Sequence, residues 1–391
     1  MDKIVGVIGS VPAIKSRHDD EFSDRLGYKY SVGMFVLFAV IVSTKQYVGE
    51  PIQCWVPAHF TGSHERYTNH YCWIGNSYYL GLEERVPKPE QHHEKRIIKY
   101  YQWVPMLLVL QALMCYAPII LWRMFNSKAG IDINSVIQCG ESFIRSENAG
   151  RRKEIIAYMT HHMTRYLDVR NAPRSRCSLS DAIRDNLSRL YVVFKIVFIA
   201  CIFLQIFVLN YFLGHNFHTY GADVLRETLY GDVDLTFDRF PRIAMCDLDV
   251  RRLGNNQRYT VQCVLPVNLF NEKIYLVIWF WLIILIVIMS LSLINLVYFM
   301  ILRRNKRNFV KRYSTFIGGL KASTTNAALT SFVDDYLKSD GVFILRLISR
   351  NTNALTTSDF IDALYDDYLR RKKNYVDDDE EEDLKKDVER V

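Results

Sequence analysis

Apolar residues along this chain gather in four long blocks, at residues 31–48, 103–124, 190–213 and 274–302, with charge filling the gaps. The fourth is the plainest, since YLVIWFWLIILIVIM carries no charged residue. A bilayer-spanning helix needs about 20 mostly apolar residues, so each block predicts one transmembrane helix. Buried helices of a soluble domain are usually shorter and keep a polar edge, which these blocks lack. Between and after the blocks, residues 135–166, 180–189 and 332–369 also read as helical. In the last of these Leu337, Val342, Leu345, Ile348, Phe360 and Leu364 supply the apolar positions of a small bundle. Pro118 falls inside the second block, where a lost backbone hydrogen bond predicts a kink, whereas Pro105 sits in its first turn. The run DDDEEED beyond Tyr375 reads as a tail too charged to fold.

The resulting class is an all-α membrane protein, a four-transmembrane-helix bundle subunit with a helical cytoplasmic domain. Its plan is an N-terminal segment (1–30), TM1 (31–48), a loop (49–102), TM2 (103–124), a loop (125–189), TM3 (190–213), a loop (214–273), TM4 (274–302), a helical C-terminal region (303–375) and an acidic tail (376–391). The first 30 residues lack the pattern of a cleavable leader, so TM1 is expected to act as an uncleaved anchor.

Charge orients the plan. Loops 49–102 and 214–273 carry six and seven Lys and Arg residues, against twelve in 123–189 and seventeen beyond Leu302. Basic residues mark the cytoplasmic side, most clearly in the cluster Arg303, Arg304, Lys306, Arg307, Lys311 and Arg312. Both termini and the central loop are therefore expected in the cytoplasm. The net charge of +7 then speaks for attraction to anionic membrane lipid, not for nucleic acid. Cysteine usage agrees independently. Cys54, Cys72, Cys246 and Cys263 fall in the two outer loops, where an oxidising environment permits disulfides. Cys115 and Cys201 fall in spans, and Cys139 and Cys177 in reducing cytoplasm. Four outer cysteines allow three connectivities, and their sequence positions do not choose among them.

Candidate chemistry is sparse. No phosphate-binding glycine loop, Gly-x-Ser-x-Gly or Cys-x-x-Cys occurs, so neither an enzyme nor a cofactor or metal site is expected. Histidines such as His59, His64 and the pair His161 and His162 lack zinc-ligand spacing and read as solvated. The polar residues within spans are Gln111, Gln205, Asn210 and Asn295, with no mid-depth carboxylate of the kind proton-coupled transporters use. Lys195, near one end of TM3, is expected to snorkel to the headgroups. The sequon at Asn186 lies on the cytoplasmic side, leaving the outer loops without a glycan acceptor.

One string carries a resemblance. Tyr100, Tyr101, Gln102, Trp103, Val104 and Pro105 read YYQWVP, and this resembles the signature of the innexins, the invertebrate gap-junction proteins. TKQYVGEPIQCW (44–55), FPRIAMCD (240–247) and QRYTVQCVLPVNLFNEKIYLVIWFW (257–281) are similar to innexin segments in the same order. The likeness covers roughly residues 1–305. Connexins, which perform the same task, would need three cysteines per outer loop.

The resemblance implies a multi-pass plasma-membrane protein at gap junctions. Homo- or hetero-oligomeric rings of eight innexin subunits would surround a wide pore, and two rings would dock through disulfide-stapled extracellular loops. It implies links of Cys54 with Cys263 and Cys72 with Cys246. It also places Met1, Asp2 and Lys3 in the pore funnel, where their opposite charges predict weak ion selectivity. Lys45 either faces that pore or snorkels. The alternatives are a hemichannel that releases small metabolites without docking, and a non-conducting four-span adhesion protein.

Overall fold

The structure, a computed structural model, describes residues 19–75, 77–81, 96–98, 100–128, 130–171, 187–214, 217–230, 240–315 and 326–388. In chain order its helices begin with α1 (Phe22–Tyr47), α2 (Gly62–Ile74), α3 (Tyr101–Asn126), α4 (Ile133–Arg145), α5 (Ala149–Asn171) and α6 (Leu187–Leu213). There follow α7 (Tyr220–Tyr230), α8 (Pro266–Ile301), α9 (Arg303–Thr315), α10 (Asn326–Ser331), α11 (Lys338–Asn351) and α12 (Ala354–Val388). The strands are β1 (Gln53–Trp55), β2 (Ser77–Tyr79), β3 (Arg96–Ile98), β4 (Ile243–Arg252) and β5 (Asn255–Val264).

Among the described residues, helices α1, α3, α6 and α8 are the four long and apolar enough to cross a membrane. Two begin well upstream of the apolar blocks, at Phe22 and Pro266, because helical backbone continues past the point where side chains turn polar. A π turn at Leu26–Tyr30 interrupts α1. Within it Gly27 meets α6 so closely that a Cβ would lie 2.3 Å from Cζ of Phe198. Pro118 is buried in the interior of α3, and the helix continues through it.

The chain packs as two units. One comprises Leu26–Pro118 and Val197–Ser290. Here an antiparallel sheet of order β1-β5-β4-β2-β3 draws its strands from both long loops, a feature the sequence reading did not include. Strands β4 and β5 form a ten-pair hairpin closed by the two-residue turn Leu253-Gly254, with φ of 45° and 90°. Positive φ at both turn residues matches the right-handed twist of the flanking strands. Side chains alternate across β4, with Ala244, Cys246 and Leu248 buried, as a sheet covered on one face requires. Ala244 and Cys246 join Ile52, Ile98, Tyr101, Val261 and Leu265 in one core.

The other unit comprises the described part of Met1–Arg25, with Ile119–Ile196 and Leu291–Val391. Asp132 caps α4 by accepting from the backbone N–H groups of Asn134 and Ser135, which satisfies donors that a helix start leaves open. Ile133, Val136, Ile137, Gly140 and Phe143 then form its buried stripe. The centre of this unit is α11, buried continuously from Asp340 to Ile348. Leu337, Val342, Leu345, Ile348, Phe360 and Leu364 are all buried here. Helix α12 runs to Val388, so the expected break into a disordered tail at 376 is absent. Glu and Lys are good helix formers, and the acidic run extends a helix already nucleated by packed residues.

Candidate functional site

The sheet is locked at two points. Cys54 on β1 is bonded to Cys263 on β5, its direct partner in the strand register. Cys72, in the last turn of α2, is bonded to Cys246 on β4. The first bridge joins two strands, and the second fixes a helix of loop 49–102 on a strand of loop 214–273. Sγ atoms of Cys54, Cys72 and Cys263 lie within 4.8 Å of one another, so the two bridges are neighbours in a buried core. As disulfides these sulfurs offer no thiolate to a metal. Asn69 on α2 adds a third tie, its Oδ1 accepting from the Cys54 N–H at 2.9 Å.

The YYQWVP motif is the joint between this sheet and α3. Tyr101–Trp103 form a 3₁₀ turn leading into the α-helix at Val104. Pro105 follows where a helix needs no N–H donor. Tyr101 is fully buried. Its ring lies 4.9 Å from that of Trp73 and its hydroxyl 3.2 Å from Ser77 Oγ. Gln46, near the end of α1, donates to the Tyr101 carbonyl at 2.7 Å. Gln102 donates to the carbonyl of Trp73, while Trp103 is exposed. The motif thus binds α1, α2, β2 and α3 together mechanically.

On the hairpin, Asp247 accepts from Tyr78 at 3.3 Å, Arg258 at 2.7 Å and Thr260 at 2.7 Å. Burial, and then the Asp247 charge, push the Tyr78 phenol up to about 12. Beyond this network the turn projects Leu253, whose side chain is wholly exposed. A leucine with positive φ is uncommon, since the left-handed region favours Gly and Asn.

Of the other residues singled out in the sequence, Met1, Asp2 and Lys3 lie outside the described residues. Lys45 is half-buried in the last turn of α1, and its Nζ lies 3.5 Å from where a Cβ on Gly49 would sit. Gln205 on α6 donates to Cys115 Sγ on α3 at 3.2 Å, a packing contact. Asn210 Oδ1 accepts from the Phe217 N–H at 2.8 Å.

Lys195 corrects its expectation. Instead of snorkelling it is fully buried. Its ammonium lies 2.9 Å from Asp24, 3.1 Å from Glu21, 3.1 Å from Ser23 and 2.8 Å from Ser292. The acids arrive from the segment that opens α1, more than 160 positions away in the chain, which no local pattern around Lys195 reveals. Tyr191 also donates to Asp24, and Arg346 from α11 approaches Glu21 at 3.4 Å. Burial would raise the Glu21 carboxyl, but the cations of Lys195 and Arg346 outweigh it and hold the group below its ordinary value. Neither the sheet nor this ion network was anticipated. The alternation in IAMCDLDV and the Asp and Glu residues at 19–24 were the available signals.

Four spanning helices, with two long loops cross-linked into one sheet, define a multi-pass membrane protein with a rigid extramembrane cap. The innexin family profile matches residues 20–368, and the chain belongs to the innexin family. It is 37% identical over 378 residues to Innexin unc-9 of Caenorhabditis elegans, covering 94% of this chain and 97% of that protein. Innexin-11 of the same species is 33% identical over 384 residues, covering 94% and 83%. Innexin eat-5 is 29% identical over 393 residues, covering 95% and 93%. Innexins are channel proteins whose subunits oligomerise into gap-junction channels and hemichannels.

Proposed function

We propose that this chain forms octameric rings in the plasma membrane, and that two rings from apposed cells dock to join their cytoplasms. The observation that carries the reading is the fusion of loops 49–102 and 214–273 into one doubly cross-linked sheet. A docked pore needs a collar stiff enough to meet its mirror image, and a typical disulfide contributes about 2–4 kcal/mol to such a structure. Both loops face outside and both termini lie in the cytoplasm, in keeping with the basic residues of the remaining segments. The exposed Leu253 at the hairpin tip then points away from its own subunit as an apolar docking contact. Met1, Asp2 and Lys3 form the cytoplasmic funnel, with Lys45 at the outer end of the pore-lining helix. No glycan obstructs docking. The single sequon at Asn186 is on the cytoplasmic side, and its Ser188 is buried against Asp340.

The test is current or dye passage between paired cells expressing the chain, with surface delivery measured separately. Coupling between pairs, lost in a Cys54→Ser variant that still reaches the surface, is the expected result. Dye release from single cells without coupling between pairs would replace docking with the hemichannel reading. Surface protein that conducts in neither format would leave only an adhesive role.

A further inference from the structure

A cavity of about 640 Å³ opens where α6 begins and α8 ends, within the size range of small-molecule sites. Its two halves differ in chemistry. Val192 and Val193 of α6, with Val297, Met300 and Ile301 of α8, make an apolar wall from the terminal turns of two spanning helices. Arg170, Arg189 and Lys338 supply cations on the other side, with the hydroxyls of Ser188 and Ser339.

The acid in this lining, Asp340, is already engaged. It accepts from the Ser188 N–H at 3.0 Å and from the Ser188 hydroxyl, and it pairs with Arg170 at 3.2 Å. Arg170 is thereby fixed in place, donating also to the Leu337 carbonyl at 3.4 Å. Arg189 and Lys338 are exposed and have no acidic partner among the described residues. Among the described residues the lining therefore keeps two uncompensated positive charges. Lys306 stands behind it, donating to Ser339 Oγ at 3.1 Å. Burial, with the charge of Arg303, holds the Lys306 ammonium below the usual lysine range against the pull of Asp334 and Asp340. Lys338 itself has φ of 53°, a conformation that residues with a Cβ avoid. Strain of this kind persists where surroundings enforce it, and it clusters at ligand clamps.

We propose that this cavity is a binding site for an anionic phospholipid. The phosphate headgroup lies on Arg189, Lys338 and Arg170, and an acyl chain lies along Val193, Val297 and Met300. A phosphate ligand could come from lipid or from solution. The apolar wall at the ends of two spans favours lipid, because a soluble anion would leave it unused. The proposal rests on the membrane placement argued above, with this end of the spans at the anionic leaflet.

The test uses the full-length protein in phosphatidylcholine nanodiscs, titrated with dioctanoyl phosphatidylinositol bisphosphate and read by native mass spectrometry. Dioctanoyl phosphatidylcholine and tail-less inositol trisphosphate serve as comparison ligands. Saturable binding of one anionic lipid per subunit is expected. The R189Q/K338Q variant should bind it about 30-fold more weakly, from roughly fivefold for each basic side chain neutralised. Both side chains are exposed, and an unchanged size-exclusion profile checks that the variant still assembles. Tail-less ligand should bind at least about tenfold more weakly than the lipid, since it forgoes the apolar wall. Equal affinity of wild type and variant would overturn the site. Equal affinity for tail-less ligand would reassign it to soluble phosphates, and equal affinity for phosphatidylcholine would remove the role of charge. None of these outcomes depends on whether paired cells couple.

Discussion

Replacing Lys195 with methionine keeps the length and apolar stem of the side chain and deletes only its charge. The consequence follows from what remains. Glu21 retains Arg346 at 3.4 Å and the Ser292 hydroxyl at 3.1 Å. Asp24 retains the Tyr191 hydroxyl and the Glu21 N–H at 3.2 Å but loses the lysine, the only cation paired with it among the described residues. Breaking a buried ion pair by removing one partner costs about 3–5 kcal/mol, whereas replacing both partners with uncharged groups is often near neutral. K195M should therefore destabilise the protein by about 3–5 kcal/mol. The K195M/D24N double variant should recover more than half of that. The assay is reversible unfolding of the purified chain in mixed micelles, titrated with sodium dodecyl sulfate. A K195M loss under about 1 kcal/mol would refute the network and return Lys195 to the headgroups, where an exposed pair contributes little.

Acidity supplies a second arm. The folded value of Glu21 lies below its ordinary 4.5, so its stabilisation is complete above that pH and fades as pH falls through the folded value. The gap between wild type and K195M should therefore be constant from pH 7.5 to 5.5. A gap that closes within that window would contradict the assignment of Glu21 as a charged partner.

The remaining predictions concern the cap and the helical unit. Removing the second bridge with C72S/C246S should destabilise the cap by about 2–5 kcal/mol and abolish coupling between paired cells at equal surface expression. Full coupling would show that one bridge suffices. Single C246S should be worse, because the freed Cys72 thiol sits within 4.8 Å of the Cys54 and Cys263 sulfurs and can exchange with their bridge, detectable as mixed maleimide labelling. Leu253→Asn should stabilise the hairpin by about 0.5–1 kcal/mol, because asparagine tolerates the left-handed backbone better, while reducing coupling and sparing hemichannel current. Unchanged coupling would remove Leu253 from the docking surface. Asp362 on α12 is pushed up to about 6, first by burial and then by the charges of Asp359 and Asp366. A carboxyl raised on folding costs stability progressively as pH climbs from its ordinary 3.8 to the folded value, so Asp362→Asn should raise the melting temperature at pH 7.5 and leave it unchanged at about pH 3. An equal rise at both pH values would exclude the charge as the cause.

The spans were legible because a bilayer demands length and apolarity together, and nothing else in the chain supplies both. The buried positions of α11 and α12 were legible for a similar reason, since helical spacing of Val342, Leu345, Ile348, Phe360 and Leu364 survives reading without partners. The sheet was not legible in the same way. Strands β1, β2 and β3 have three residues each, too short for a period of two to declare itself. The ten-residue strands of the hairpin did alternate, but Leu253-Gly254 lacks the usual asparagine or aspartate of a tight turn. The docking reading gives that missing residue a reason. Lys195 was misread because snorkelling is the right default for a cation near the end of a span. Only the arrival of Asp24 and Glu21 changes the outcome.

Set side by side, the two unanticipated features act on the same helix. In one unit the end of α1 is tied by Gln46 to the Tyr101 carbonyl, and so to the motif that carries the disulfide-bonded sheet. In the other unit the start of α1 is tied by Asp24, and by Glu21 just before it, to Lys195 and Arg346. Between these ties α1 has a polar hold at buried Ser31, whose Oγ accepts from Trp281 Nε1 at 2.8 Å, and is apolar from there to Val42. Phe35, Ala39 and Val42 are buried, while Val36, Leu37, Val40 and Ile41 are exposed. An apolar helix held only by packing has little to fix its rotation, because hydrophobic contacts are not directional. Hydrogen-bonded polar groups at both ends are directional. They set which face of α1 is buried and which is presented. If α1 lines the pore, as proposed, that choice decides which of its side chains face it, so loosening either tie should disturb conduction before it disturbs the fold. A Gln46→Leu variant that keeps its melting temperature yet changes unitary conductance would bear this out. Unaltered conductance would leave the orientation of α1 to its other polar holds and to packing.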